Sequence, residues 1–267
     1  MSFPVFPRYR DRYLPAMTPA QIAALPDRAW APVIVPVGAI EQHGPHLPVA
    51  VDSFLGQVWV EKLLPRLPAG ASCYIAPPIT VGKSNEHTGF PGTLMISKET
   101  LRAQLLVIAR QIHAWGFKSM AILNTHGGNL AVNQYTLREI HATLGLRAGN
   151  LQNKNSIDVS PQEATYGYHA NEVETALMLA ACGPHVKSGA VCDYYAKLGD
   201  TKDLRPERAA ATFAWVTQDL SKTGIMGDAP AGTAEKGERW IAHSAEGLTQ
   251  AVAALCTEGK TLAGISS

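Results

Sequence analysis

Three side chains able to bind metal ions follow one short apolar stretch of the sequence. Val33–Val37 is rich in β-branched residues and is followed by a glycine, a pattern that predicts a buried strand. Glu41 and His43 come just after its end, and Asp52 follows in the same part of the chain. A buried strand has no structural need for a carboxylate and an imidazole at its end, whereas a metal site needs both.

A second imidazole, His126, extends this group of ligands. Glu41, His43, Asp52 and His126 supply oxygen and imidazole ligands, which suit Zn²⁺, Mn²⁺ or Fe²⁺ and argue against a thiolate site. These four candidate ligands are more than one catalytic ion needs. Two ions roughly 3.5–4 Å apart, bridged by a carboxylate and a water molecule, would use them all. In an extended loop Glu41 and His43 would point to one side, so each could bind a different ion, with Asp52 as the bridge.

Two such ions would ionise a water molecule near neutral pH and polarise a carbonyl group, as amide hydrolysis requires. The leaving nitrogen needs a proton from a group whose pKa lies near 7, and His169 is the candidate. Plainer alternatives exist for three residues. Asp52 could serve only as a helix N-cap. Glu174 could be only the capping-box partner of Asn171, and His169 could be a solvated group at a helix start.

Predicted strands alternate with predicted helices in the first 144 residues. The strands cover 33–37, 73–76 and 119–123, and the helices cover 54–64, 98–115 and 131–144. This order implies right-handed crossovers and a mostly parallel sheet with helices on both faces. Ligands of such sheets bind beyond the carboxyl ends of the strands. The loops after the three strands should therefore converge on one cleft.

The long loop 77–93 is typical of a lid or binding loop and supplies Ser84, Glu86 and His87 as candidate substrate contacts. Its Gly-Lys-Ser sequence does not form a nucleotide-binding P-loop, because Pro77 replaces the first glycine of that motif. Further candidate substrate contacts lie next to His126 and His169 in the sequence. These are Gly127, Gly128 and Tyr168.

The second half of the chain gives weaker patterns. Residues 147–168 receive no assignment. Asn171 is the predicted N-cap of a helix that starts at 172 and ends at Gly183 and Pro184, and Thr18 and Ser97 are predicted caps of earlier helices. Residues 186–232 are rich in Gly, Pro, Asp and Lys and are expected to wrap the surface or a neighbouring subunit. An amphipathic helix over 233–255 closes the chain.

Composition excludes several classes of function. The chain has 23 Lys and Arg against 22 Asp and Glu, so no basic face for nucleic acid is expected. No segment approaches the length of a membrane span and no signal sequence is recognised, which predicts a cytoplasmic protein without membrane contact. The four cysteines are far apart in sequence and are expected to be buried free thiols.

Five sequence blocks together resemble the creatininase family, in the same order along the chain. They are Gly38–Gly44 with Asp52, Phe90–Thr93, Asn124–Asn129, His169–Thr175 and Ala234–Glu238. The resemblance implies one α/β domain over 1–267, built as a three-layer sandwich, with two divalent ions and commonly a homo-hexamer. It further implies roles for single residues: Glu41 and His126 on one ion, His43 on the other, Asp52 between them, His169 for proton transfer and Ser84 at the substrate.

This chain departs from true creatininases, which carry a tyrosine and a metal-binding glutamate directly after the histidine matched by His126. Here these positions are Gly127 and Gly128. The resemblance therefore implies that another carboxylate completes the second ion site, Glu174 first and Glu172 second. A tryptophan upstream of His169 is also missing. Creatinine is accordingly a poor candidate substrate, and the chain fits a non-creatininase branch that includes formamide deformylases, a cyclic-ketone hydrolase and a peptidase.

The sequence thus predicts a metal-dependent amidohydrolase that acts on the C–N bond of a small cyclic amide or formamide. Zn²⁺ is the favoured ion, with Mn²⁺ or Fe²⁺ as alternatives. His169 and Glu174 are the candidate catalytic residues. Two other hypotheses stay open: hydrolysis of a C–C bond in a cyclic ketone with the same ions, and a metal-binding scaffold without turnover.

Overall fold

A four-stranded parallel sheet forms the centre of the computed structural model, which describes residues 7–153, 155, 157–195 and 199–265. Its strands lie in the order β2-β1-β3-β4, all parallel to their neighbours. The bounds are β1 Val33–Val37, β2 Tyr74–Ile75, β3 Ser119–Asn124 and β4 Arg147–Asn150. β1 and β3 pair along the full length of β1, from Val33 opposite Met120 to Val37 opposite Asn124.

The described residues form eight α-helices. They are α1 Pro19–Ala23, α2 Val51–Leu63, α3 Lys98–Ala114, α4 Leu130–Leu144, α5 Pro161–Tyr166, α6 Glu172–Cys182, α7 Thr217–Leu220 and α8 Ala234–Leu262. Four further strands of two residues each form two small ladders outside the sheet. They are β5 Cys192–Asp193 with β8 Gly227–Asp228, and β6 Leu204–Arg205 with β7 Ala211–Thr212.

Alternate residues of β1 enter two different cores. Val33 and Val35 pack in one cluster with α3 and α4 residues such as Leu105 and Ile140. Ile34 packs in the other with residues of α2 and α8. Because side chains alternate along a strand, both faces of β1 are buried, which explains its continuous apolar sequence. The predicted mostly parallel sheet between two helical layers is confirmed.

The structure corrects several predicted boundaries. α2 begins at Val51 with Ala50 as its N-cap, so Asp52 lies inside the first turn and does not cap the helix. β2 has two residues where four were predicted. β4 and α5 lie in the unassigned region 147–168; β4 was missed because its sequence, Arg-Ala-Gly-Asn, lacks the β-branched and aromatic residues that mark strands. α8 continues to Leu262, beyond the predicted end at 255.

Side-chain caps and cysteines follow the predictions more closely. Thr18, Ser97 and Asn171 each accept a hydrogen bond from the backbone amide three residues ahead, as expected of N-caps. The four cysteines are free, but only Cys73 and Cys256 are buried, and Cys192 is exposed. No helix within the described residues is both long and apolar enough to cross a membrane, and this includes the 29-residue α8.

Gly237 allows α8 to approach α6 closely, which predicts a stability effect. A Cβ at this position would overlap the carbonyl oxygen of Ala176 and lie 2.8 Å from the Cβ of Ala180. Gly237→Ala should therefore lower the free energy of unfolding by about 2 kcal/mol, because overpacking outweighs the gain of about 1 kcal/mol in helix propensity. Gly183→Ala, where a Cβ would meet nothing within 4 Å, is the control in chemical denaturation. Equal stability of the two variants would contradict the prediction.

Candidate metal centre and its pocket

The four ligands predicted first converge at the carboxyl end of the sheet. Glu41 and His43 follow β1, His126 follows β3, and Asp52 lies in the first turn of α2. All four are buried. Gly38 makes this meeting possible, because a Cβ there would lie 2.7 Å from the Cα of Ser53. The end of β1 therefore touches the start of α2 and brings Asp52 beside the loop of Glu41.

Distances among these groups are typical of ligands around shared cations. His126 Nδ1 lies 3.3 Å from Glu41 Oε1 and 3.3 Å from Asp52 Oδ2. His43 Nε2 lies 3.6 Å from Asp52 Oδ1 and 3.7 Å from Glu174 Oε1. Ligand bonds of about 2.0–2.1 Å in tetrahedral geometry place neighbouring ligand atoms about 3.3 Å apart. Asp52 belongs to both groups, as expected of a bridge.

The donor atoms themselves fit a metal. His43 Nε2 and Asp52 Oδ2 are buried, and neither has a hydrogen-bond partner in the part of the chain that the structure describes. His43 Nδ1 lies 3.1 Å from the carbonyl oxygen of Glu41, which can only accept, so we assign the ring hydrogen to Nδ1. Nε2 then presents a lone pair to the cluster. Buried polar atoms normally have partners, and a cation would supply one here.

His126 is oriented in the same manner by the loop after β2. Its Nε2 lies 3.0 Å from the carbonyl oxygen of Lys83 and 3.3 Å from Glu86 Oε1. Nε2 therefore carries the hydrogen, and Nδ1 faces Glu41 and Asp52. Glu86 is held in turn by Lys83 Nζ at 3.1 Å. A carboxylate that orients a histidine ligand is a common outer contact of metal sites.

Electrostatics show that this cluster attracts positive charge. Burial by itself would lower the pKa of His43, but the negative charges of Glu174 and Asp52 outweigh it and hold that pKa well above its ordinary value. Burial by itself would raise the pKa of Asp52, but His43 and His126 outweigh it and keep that pKa low. The buried carboxylates therefore need protons or metal ions beside them.

Glu174, and not Glu172, reaches the cluster. Glu174 Oε2 accepts a hydrogen bond from the amide of Ala170, while Oε1 faces His43. It therefore both braces the helix start and lies among the possible ligands. Glu172 pairs with Lys236 instead, and it belongs to none of the possible ligand groups found among the described residues. A third such group joins Glu41, His43 and His169.

Gly128 has a steric reason to be glycine. A Cβ there would overlap Glu86 Oε1 and His126 Nε2 and would lie 2.6 Å from the carbonyl oxygen of Lys83. The space that a side chain at 128 would need is thus occupied by the support of His126. Gly127 differs, since a Cβ at that position would meet nothing within 4 Å.

A pocket of about 740 Å³ opens from the cluster. Of the predicted substrate contacts, Glu86, His87, Gly127, Gly128 and Tyr168 line it. The Tyr168 hydroxyl is buried and has no hydrogen-bond partner among the described residues. Ser84 is not among the lining residues, because it is fully buried and donates a hydrogen bond to Glu41 Oε2. Its predicted substrate role stays a prediction, while its observed contact orients a possible ligand.

The rings of His169 and His87 pack against each other beside the cluster. Their ring centroids are 4.1 Å apart with the planes tilted by 33°, and the His169 and His43 centroids are 4.4 Å apart with a tilt of 39°. Burial lowers the pKa of His87 to about 3 and that of His169 well below its ordinary value. Both rings are accordingly neutral near pH 7. The expected pKa near 7 for His169 is therefore wrong, because burial and the neighbouring imidazoles of His87 and His43 lower it. His169 Nδ1 lies 3.7 Å from Glu41 Oε1.

Two parts of the site were missed from sequence. Gln42 is buried between His87 and His169, and its place in the Glu-Gln-His block was a signal that went unused. The segment from Pro206 to Trp215 forms part of the pocket wall, including Arg208 and Phe213. It lies in the region expected only to wrap the surface or another subunit, and no local pattern marks it as part of a pocket.

This chain is similar in sequence and fold to several known proteins. The family profile described as creatinine amidohydrolase matches residues 15–252. A mycofactocin precursor peptide peptidase of Mycolicibacterium smegmatis is 30% identical over 223 residues, covering 82% of this chain and 83% of that protein. A creatinine amidohydrolase of Pseudomonas putida is 26% identical over 243 residues, covering 82% and 88%. A solved structure of a creatininase with Mn has a TM-score of 0.68 at 21% identity, covering 90% of this chain and 97% of that protein.

Proposed function

This chain belongs to the creatininase family, and from that premise we propose that it is a metal-dependent hydrolase that cleaves an amide C–N bond at the Asp52 cluster. One observation carries the proposal. Two groups of possible ligands, Glu41 with His126 and His43 with Glu174, share Asp52 between them. This arrangement supports two divalent ions per chain, with Zn²⁺ favoured and Mn²⁺ or Fe²⁺ as alternatives.

Ions bound there would supply water activation and carbonyl polarisation. The chain's own residues do the remaining work. Glu86 and the Lys83 carbonyl hold His126 in the tautomer that leaves Nδ1 free. His169 directs its Nδ1 toward the cluster, where it can take a proton from the attacking water and deliver it to the leaving nitrogen.

The pocket supports a substrate larger than a small formamide. Its volume of about 740 Å³ is in the range of sites for drug-sized ligands, and its wall reaches Phe213 and Trp215, outside the metal cluster. The relative from Mycolicibacterium smegmatis is named as a peptidase. We therefore extend the proposed substrates from cyclic amides and formamides to amide bonds within short peptides.

Metal removal and return test the proposal. The purified chain, loaded with Zn²⁺ or Mn²⁺, should contain about two ions by elemental analysis. It should hydrolyse at least one member of a panel of creatinine, N-formyl compounds and short peptides. Dipicolinate treatment should abolish turnover, and added metal should restore it.

Other outcomes would contradict the proposal. Bound metal without turnover of any amide would favour the scaffold, and turnover confined to a cyclic ketone would favour C–C hydrolysis. A chain that retains no metal after loading would exclude both metal-dependent reactions. The homo-hexamer stays a prediction from the family resemblance, to be checked by light scattering.

A further inference from the structure

The side-chain amide of Gln42 has one definite orientation. Its Oε1 accepts a hydrogen bond from the amide of Gly44 at 2.9 Å. Its Nε2 donates to the carbonyl oxygen of Gly224 at 3.1 Å. A backbone amide can only donate and a carbonyl can only accept, so both contacts assign the same end of the side chain as the NH₂ group. Gln42 is also buried, which holds it in this arrangement.

This orientation decides the tautomer of His87. Gln42 Nε2 lies 2.9 Å from His87 Nδ1. Because the NH₂ group only donates, Nδ1 accepts and carries no hydrogen. The Thr217 hydroxyl, 2.8 Å from the same nitrogen, can also donate to it. The hydrogen of the neutral ring is therefore on Nε2, which lies 3.4 Å from Glu41 Oε1.

The same glutamine residue orients His169 so that its bare nitrogen, and not its N–H, faces the cluster. His169 Nε2 lies 2.7 Å from the backbone carbonyl oxygen of Gln42, so that nitrogen carries the hydrogen. Gln42 Nε2 is also 3.0 Å from His169 Nε2, but a ring nitrogen that already carries a hydrogen cannot accept another from this amide. Nδ1 of His169 is then left as the bare nitrogen toward Glu41. The cluster thus receives an N–H from one ring and a lone pair from the other.

We propose that His87 is a further catalytic residue, which donates a hydrogen bond from Nε2–H to the oxygen of the scissile carbonyl, and that Gln42 is the positioning residue for both the His87 and the His169 ring. The inference rests on the proposed hydrolysis. Water oxygen bonds to the carbonyl carbon, and the C–N bond breaks with its electron pair on nitrogen. The proton that His169 Nδ1 takes from water goes to that nitrogen. His87 keeps its proton throughout and stabilises charge that develops on oxygen.

Two rival roles for His87 make different predictions. As a metal ligand it would need a bare nitrogen toward the cluster, but its bare Nδ1 faces Gln42. As a support for Glu41 it would act through the contact at 3.4 Å, and its loss would weaken metal binding. A hydrogen bond to the reacting oxygen predicts instead a slower chemical step with metal binding unchanged.

Substitutions at His87 separate these roles. In the zinc-loaded chain, His87→Leu should lower kcat about a hundredfold on the best amide of the panel, a typical loss for one such donor. KM and zinc content should stay at wild-type values. His87→Gln, which can present an amide N–H in a similar place, should recover part of kcat. Full kcat in His87→Leu, or loss of zinc from it, would overturn the proposal.

The tautomers can be observed without turnover. Nitrogen-15 NMR of the zinc-loaded chain, labelled in its histidine rings, should show hydrogen on Nε2 of both His87 and His169. Gln42→Glu replaces the NH₂ group by an acceptor, so the hydrogen of His87 should move to Nδ1, and kcat should fall as in His87→Leu. A wild-type His87 with its hydrogen on Nδ1 would overturn the assignment.

Failure of the proposed function would be distinguishable from failure of this inference. If the wild-type chain hydrolyses no amide, the affinity of the zinc-loaded chain for acetohydroxamic acid, whose oxygens resemble those of a hydrated amide, becomes the measurement. His87→Leu should weaken that binding about tenfold, as expected for one hydrogen bond to a charged group. Equal affinity of the two proteins would overturn the proposal.

Discussion

Asp52→Ala should leave a folded protein that holds at most one metal ion and turns over at least about 10³-fold more slowly than the wild type. Asp52 is the carboxylate shared by the Glu41–His126 group and the His43–Glu174 group, so both lose a ligand together. The stabilisation of developing charge by bound metal is worth several kcal/mol, and about 4 kcal/mol corresponds to this loss of rate. Elemental analysis and steady-state kinetics on the best amide measure the two effects.

Asp27→Ala is the matched control for this variant. Asp27 is also buried, but it accepts a hydrogen bond from Tyr74 in the core, away from the cluster. Its loss should reduce thermal stability while leaving two ions bound. Two ions and wild-type turnover in Asp52→Ala would contradict the role given to Asp52. A loss of metal in both variants would point to a general effect on folding.

Gly128→Ala should reduce zinc affinity 10- to 100-fold, the range typical when the outer contacts of a metal ligand are disturbed. The added Cβ cannot fit beside Glu86 Oε1 and His126 Nε2, and the Lys83 carbonyl oxygen at 2.6 Å belongs to the backbone and cannot move aside easily. The His126 ring must therefore rotate or shift, and its Nδ1 no longer faces Glu41 and Asp52. Competition with a fluorescent zinc chelator gives the affinity.

Gly127→Ala provides a control one residue away. A Cβ at Gly127 meets no atom within 4 Å, and the backbone of Gly127 is not in the left-handed region. Zinc affinity and melting temperature should therefore stay near wild-type values. Equal zinc affinity in the two alanine variants would show that the Glu86–His126 contact does not depend on glycine at 128.

The glycine at 128 has a different meaning in the structure than in the sequence. From sequence, it implied a ligand lost relative to creatininases. In the structure, Glu86 occupies the adjacent space and supports His126, while Glu174 lies 3.7 Å from His43. One carboxylate from the loop after β2 and another from α6 thus stand near the cluster. The sequence alone could not relate Gly128 to Glu86 and Glu174, because the three residues belong to separate segments of the chain.

Gln42 shows a similar limit on sequence analysis. Its neighbours Glu41 and His43 were recognised by residue type, because carboxylate and imidazole groups are common metal ligands. An amide side chain has no such signature. Its importance comes from its contacts with His87, which is 45 positions away in the sequence, and with Gly224, which is 182 positions away. Only the folded chain brings these residues together.

The sequence by itself determined the alternation of strands and helices in the first half, the mostly parallel sheet and the candidate metal ligands that follow its strands. These follow from local periodicity, capping residues and the rule that loops after parallel strands meet at one edge. The tertiary structure decided which glutamate faces His43, why residue 128 is glycine, and which ring nitrogens of His87 and His169 carry hydrogen. Those outcomes depend on distances between atoms of distant segments, and no pattern along the chain encodes a distance across it.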